Sequence, residues 1–548
     1  MKTPSENPAP ISERGALWHE LFGIDLRTVA LFRIALALSL LADLFMRSVD
    51  IEAFYTDFGV APRSVLPAMW NRSALFSFHT LFDSPLAVDL VFAINAVLLC
   101  LLLVGWNSRA MAVVAWLFLI SLQSRNPMVL QGGDILLRCL AFWAMFLPLG
   151  AYLSLDAKRR YAPRLPGDDP ARPVRAFSWG TIAILVQTAC VYWFTALLKN
   201  DPSWWQNGYA IYLALNIDLL TTPIGRYLVN VPLVAYALTF ITIWMEAFGA
   251  FFAFFPLRNG PVRTATVFVF WFFHLVALQS MMYLGPFPWT CALAWIPFLP
   301  SWFWDNLAIR LRHPRLSAWA QAYLPKRGEP AKNEPARRPV QLSLPIAADF
   351  VAAFYLLVIL MWNFRTVNFG MIMRYFPITW NAVAEVPHVD QCWDMFSPTP
   401  MADDGWYVID GTLRDGSHVD LMPYIAGSGE PPPVSWDKPK EVGKQFRDER
   451  WRKYMLNMWA GFNRSYRPYL CAYVAKSYNR DHSGAKELVA LELVYMRETT
   501  PTGYAPIPPP VKVTLDTWSL PGFAPKSATP VLPRVRQGSA SVPTTGKQ

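Results

Sequence analysis

The chain has 548 residues, of which 54% are hydrophobic and 15% aromatic, and its charged fraction of 16% lies well below the roughly one quarter usual in soluble domains. That balance excludes an ordinary water-soluble globule. The net charge of +10 does not argue for nucleic acid, because Lys and Arg gather in short connections between apolar runs.

The first fifteen residues carry four charges and three prolines. They lack the apolar core of a cleavable signal, so residues 1–27 read as a cytoplasmic segment leading into an uncleaved first span. Apolar runs at approximately 28–46, 86–105, 109–123, 134–153, 179–199, 231–255, 263–285, 287–304 and 346–364 follow. Most approach the roughly 18 or more residues that cross a bilayer core. Backbone polar groups in hydrocarbon must be satisfied within the segment, so these runs predict helices. The fold expected is an all-α multi-pass membrane bundle of about nine transmembrane helices with a C-terminal extracytoplasmic α+β region. Residues 28–304 form the main transmembrane domain, 305–345 a basic cytoplasmic linker and 346–364 the last span.

Orientation follows from the basic loops. Lys158, Arg159, Arg160, Arg164, Arg172 and Arg175 crowd one connection, and Arg310, Arg312, Arg315, Lys326, Arg327, Arg337 and Arg338 crowd another. Both belong inside. An odd number of spans then places the N-terminus in the cytoplasm and residues 365–520 outside. In that outer region WYVIDGTLRDGSHVDL alternates around Asp415-Gly416 and predicts a hairpin, ELVALELVYM and VKVTLDTW predict strands, and 446–478 has helical spacing. The tail 521–548, rich in Pro, Ser and Thr, predicts disorder. No internal repeat or polar path across the middle of the kind that marks transporters is present.

Six cysteines, at 100, 139, 190, 291, 392 and 471, never reach C-x-x-C spacing, so no metal site is expected. The first four lie in apolar spans, whereas Cys392 and Cys471 lie in the outer region and can pair if it faces an oxidising compartment.

Ionisable groups inside spans are expensive and mark candidate sites, although many only pair with one another. Counting about 1.5 Å per residue places Arg33, Glu246 and His274 in the middle and inner half, where they read as a structural ion-pair network. Asp43, Asp134, Arg138 and Lys199 fall in an outer layer. Lys199 follows CVYWFTALL, and two readings stand. Apolar walls disfavour its charged form and can leave a neutral amine as a base; a lysine at a helix end also extends to the interface with no further role. The outward loops FYTDFGVAPRS, SRNPMVLQGGD and NDPSWWQNGYAIYLAL supply tight turns, aromatics and fixed polar groups. Tyr55, Asp57, Asn126, Gly132, Gly133, Trp204 and Trp205 are the candidates to line a pocket there. The tryptophans read equally as interfacial belt residues, and the glycines as turn formers. An apolar pocket with a few polar groups suits a lipid-soluble ring such as a quinone.

Several segments carry a resemblance: LFRIALAL and FYTDFGV before residue 61, SRNP and GGD within 124–134, FLPLGAYLSLD at 146–156, ALLKNDPSWWQNGYAIYLAL at 196–215, FFHL and GPFP within 272–288, and CWDMFSPTPMADDGW at 392–406. In this order they resemble the horizontally transferred transmembrane (HTTM) family, whose characterised members are vitamin K-dependent gamma-glutamyl carboxylases. The resemblance implies a bacterial inner-membrane protein in which Lys199 is the base that deprotonates reduced vitamin K. In those enzymes oxygen then converts the hydroquinone to an epoxide through a strong alkoxide base, which removes a proton from a glutamate side chain so that carbon dioxide adds. It also implies a reduced quinone as cofactor, membrane lipids as surroundings and a protein substrate that the sequence does not identify. Where the carboxylases carry an Asn-His pair before the fourth span, this chain has Gln131-Gly132-Gly133-Asp134. In this reading Asp134 and Arg138 orient or tune Lys199. The rival expectation is a non-catalytic lipid- or quinone-binding protein or assembly scaffold, which the missing pair favours.

Overall fold

The computed structural model describes residues 13–70, 77–160, 175–310, 341–342, 345–427 and 429–523. The start of the expected cytoplasmic segment, much of both basic connections and nearly all of the expected disordered tail lie outside the described residues.

The chain is mostly helical. Among the described residues, six helices are long and apolar enough to cross a bilayer: α1 (Leu26–Ser48), α2 (Pro85–Val104), α5 (Trp179–Leu198), α6 (Pro232–Phe252), α7 (Asn259–Met281) and α9 (Ile346–Val367). The other three expected spans are helices of a different kind. α3 (Ser108–Arg125) is continuous, but it ends on the buried polar run Ser121, Gln123, Ser124 and Arg125. α4 (Gly132–Ala144) stops well before 153, because Pro148 disfavours helix at the residue before it and Gly150 follows. Its 13 residues span only about 20 Å, short of the roughly 30 Å of a bilayer core. α8 (Phe287–Trp295) passes into a tighter turn at Ile296–Phe298, where Pro297 interrupts it.

α5 is the central element, with 72% of its apolar window buried against 28% for α9, which packs along it. This follows from its sequence: Ala183, Ala189 and Ala196 are small enough to admit neighbours, while Gln187 and Thr188 find partners inside. Around it, α1 packs on α2, α2 on α3, α3 on α4, and α4 on α8. At Gly133 an added Cβ would lie 3.0 Å from the Phe287 backbone, so glycine permits the close approach of α4 and α8.

The C-terminal region is a four-stranded antiparallel sheet in the order β2-β1-β3-β4. Its strands are β1 (Asp403–Leu413), β2 (His418–Asp420), β3 (Leu488–Thr499) and β4 (Val511–Ser519). The β1–β2 hairpin turns at Gly416, whose φ of +89° suits glycine. Two helices, α10 (Glu449–Trp459) and α11 (Arg467–Asp481), complete the α+β region, and α11 packs on β3 and β4. Cys392 and Cys471 are free thiols, the latter fully buried.

α10 joins this region to the bundle. Its Arg450 donates to both carboxylate oxygens of Asp134 at 2.6 and 2.9 Å, to Asp43 at 2.5 Å and to the Val129 carbonyl at 3.0 Å. Arg47 closes the circuit, donating to Asp43, Asp134 and the Tyr55 hydroxyl. Two acids and two bases therefore neutralise one another in a site sealed from water.

Candidate functional site

Lys199 is the residue immediately after α5. Its backbone N–H still donates to the Thr195 carbonyl, while its carbonyl accepts from Trp205 Nε1 at 2.6 Å. The main chain is thus fixed on both sides, and the side chain is 2% exposed. Nζ donates to Glu246 Oε2 at 2.5 Å and stands 4.3 Å from the centre of the Trp204 ring. Trp204 is itself anchored, its indole N–H donating to the Phe396 carbonyl at 3.1 Å.

Glu246 and His274 both sit on π-helical turns, at Met245–Gly249 in α6 and Phe273–Leu278 in α7. Such turns displace residues from the ordinary helical register and concentrate at functional sites. Tyr192, on α5, accepts from Trp295 Nε1 at 2.8 Å and lies 2.8 Å from His274 Nε2. While accepting from Trp295 the hydroxyl can also donate to His274 Nε2, an arrangement that places the proton of a neutral imidazole on Nδ1, which has no hydrogen-bond partner among the described residues.

Lys199, Glu246, Trp204, Tyr192 and His274 all line one cavity of about 2100 Å³. Its inner walls are apolar, including Leu130, Ile135, Val191, Phe273 and Phe287. Its lining continues from the bundle onto the C-terminal region, where Arg452, Lys453 and Arg464 take part in the wall.

The expected site residues divide around this cavity. Arg138 lines it, with its guanidinium on the Asp390 carbonyl at 2.6 Å and carboxylate at 3.2 Å. Gly132 lines it where an added Cβ would lie 3.0 Å from Met395 Sδ. Trp205 is not among the walls but holds the Lys199 carbonyl.

Tyr55, Asp57, Asn126, Gly133 and Asp134 are not among the walls either. Tyr55 and Asp134 belong to the buried circuit of Arg47 and Arg450. Asp57 pairs with Arg63 at a half-exposed position, and Asn126 caps the turn that follows it. Neither Asp134 nor Arg138 makes a hydrogen bond or ion pair with Lys199, whose partner is Glu246. The proposed grouping of Arg33 with Glu246 and His274 is also not formed. Arg33 instead donates through its two terminal nitrogens to the carbonyls of Leu149, Tyr152 and Leu153 in the turn after α4.

Counting depth along straight helices assigns Lys199 and Glu246 to different layers, yet the structure joins them. The lysine side chain is long, and the π-helical turn moves Glu246 out of the register that the count assumes. Arg450, Lys453 and Tyr192 are not recovered from the sequence. A charge count offers a signal for the first: the acids Asp43 and Asp134 need two buried bases, and Arg47 supplies only one. For Tyr192 a tyrosine within an otherwise apolar helix is the available cue.

Outside the bundle, the sheet docks through a second ionic group. The Asp404 carboxylate accepts from the Asp218 backbone N–H, while Lys438 bridges Asp218 and Glu498. Burial, then the neighbouring charge of Asp218, pushes the Asp404 carboxyl up to about 7.

These features define a class: a helical protein with helices long and apolar enough to cross a membrane, a C-terminal α+β region and a buried lysine–glutamate pair on the wall of a large cavity. Compared with family models, curated proteins and solved structures, the chain finds no match.

Proposed function

We propose that the chain is an HTTM-type bacterial inner-membrane protein that uses Lys199 as a base toward a quinol-like substrate, and that α3, α4 together with the turn after it, and α8 together with Ile296–Phe298 complete nine crossings with the C-terminal region outside. The observation that carries this reading is the Lys199–Glu246 contact of 2.5 Å on the cavity wall. Where water is excluded, the charge-separated form of such a pair is penalised twice. Passing the ammonium proton to the carboxylate neutralises both groups and leaves an amine facing the cavity.

A reduced quinone fits the residues present. The inner end offers apolar walls for a ring, an amine that accepts a hydroxyl proton and, at His274 Nδ1, a donor without a protein partner. Such a ligand supplies an ionisable hydroxyl and a redox-active ring. Lys199 takes the proton and becomes an ammonium beside Glu246, whose carboxyl already holds the proton that freed the amine, and Tyr192 holds His274 in the tautomer that orients a substrate oxygen. Carbon dioxide fixation and a protein substrate remain implications of the resemblance, and no residue of the cavity is assigned to them. The cavity favours a catalyst over a scaffold, because a base requires a reachable hollow beside it.

The test is turnover of reduced menaquinone by protein reconstituted in nanodiscs. Lys199→Ala loses turnover by about a hundredfold or more, the scale expected when a general base is removed. Lys199→Arg, which keeps a cation for Glu246 but does not release a proton at neutral pH, also loses turnover while remaining folded. Unchanged turnover in either folded variant contradicts the assignment.

A further inference from the structure

The cavity is larger than one ring requires. Pockets for small ligands occupy roughly 300–1,000 Å³, whereas this one holds about 2100 Å³, so a second ligand has room at its outer end. That end is walled by α10, and among its residues Lys453 stands out. Glu449 pairs with Arg452 one turn away. Lys453 itself makes no hydrogen bond or ion pair with any described residue. Burial, opposed by Asp394 and then Asp134 at longer range, pulls its ammonium below the usual lysine range. A partly buried cation on the cavity wall, with no hydrogen-bonded or ion-paired partner among the described residues, is stabilised when a ligand brings a negative charge to it.

The rim shows how a ligand reaches it. Phe369 and Phe462 line the cavity and are 57% and 84% exposed. Phe369 lies two residues beyond the end of α9, Ile346–Val367, at the level where a span leaves the bilayer, and Arg464 is an exposed cation beside Phe462. An aromatic rim at the membrane surface with cations behind it suits an amphiphile and offers little to a fully hydrated ion.

We infer that the outer end of the cavity binds an anionic amphiphile, its head on Lys453 and its chain passing the Phe369–Phe462 rim. This site is separate from the chemistry at Lys199 and stands whether or not that residue is a base.

The test is native mass spectrometry of the full chain in detergent with dioctanoyl phosphatidate as probe. The wild type binds the phosphatidate and discriminates against uncharged dioctanoylglycerol. Lys453→Met weakens phosphatidate binding by about tenfold or more, as expected for loss of a charge-assisted contact, whereas Lys453→Arg retains it and Lys199→Met leaves it unchanged. Inorganic phosphate does not compete at concentrations at which phosphatidate saturates. Equal binding of the charged and uncharged lipids by the wild type overturns the site even if Lys453→Met fails to fold. Unchanged affinity in a folded Lys453→Met overturns it directly, and competition by free phosphate at the lipid's own concentration overturns the amphiphile.

Discussion

Lys199 is defined less by its position at a helix end than by how completely its surroundings are occupied. Thr195, Trp205, Trp204 and Glu246 hold its backbone and ammonium, so it is not a lysine reaching for headgroups. Asp404 shows the same principle outside the bundle, with a measurable consequence. Its carboxyl stays protonated in the folded protein up to about pH 7, while in the unfolded chain it releases the proton near pH 4. The folded state therefore binds more protons across that window, and this contribution to stability falls as pH rises through it. Asp404→Asn, which still accepts from the Asp218 N–H, flattens the dependence between pH 4 and 7. At pH 8 it stabilises by up to about 1.4 kcal/mol for each pKa unit removed. Thermal unfolding in detergent across this range checks it, and an unaltered slope counts against the buried acid.

At the scale of elements, α10 ties the C-terminal region to α1 and α4 through Arg450. Arg450→Ala leaves Asp43 and Asp134 with only Arg47 between them, and breaking such a buried set costs about 3–5 kcal/mol. Hydrogen exchange then rises in α10 and the Pro127–Val129 turn before it rises in α5, and restoring one charge balance with Asp43→Asn recovers part of the loss. Exchange that increases uniformly, with no recovery in the double variant, contradicts this docking. The same helix shows what was legible in advance. Its apolar spacing predicts a helix over 446–478, and the alternation around Asp415-Gly416 predicts the hairpin, because both are local periodicities. The partners of Arg450 lie more than 300 residues away in sequence, and no local pattern encodes them. The π-helical turns are equally silent, since Glu246 and His274 occupy apolar runs that read as regular helices. Long apolar spans were readable, but the short α4 was not, because residues 145–153 continue its hydrophobicity after the helix has ended.

For the whole molecule, the sheet and its helices contribute walls to the same cavity that Lys199 lines. In the proposed topology, with nine crossings and the basic connections inside, the C-terminal region faces away from the cytoplasm. Asp415→Cys at the exposed hairpin tip reacts with a membrane-impermeant maleimide on spheroplasts without lysis; labelling only after lysis reverses the topology. The central claim is that a quinol ring lies beside the Lys199–Glu246 pair. Photolabelling with an azido-menaquinone, followed by peptide mass spectrometry, tests it most directly. The account predicts adducts in 196–215 and 272–288, suppressed by excess unlabelled menaquinone. Labelling confined to the lipid-facing surfaces of α2 or α9, insensitive to that competitor, would contradict it.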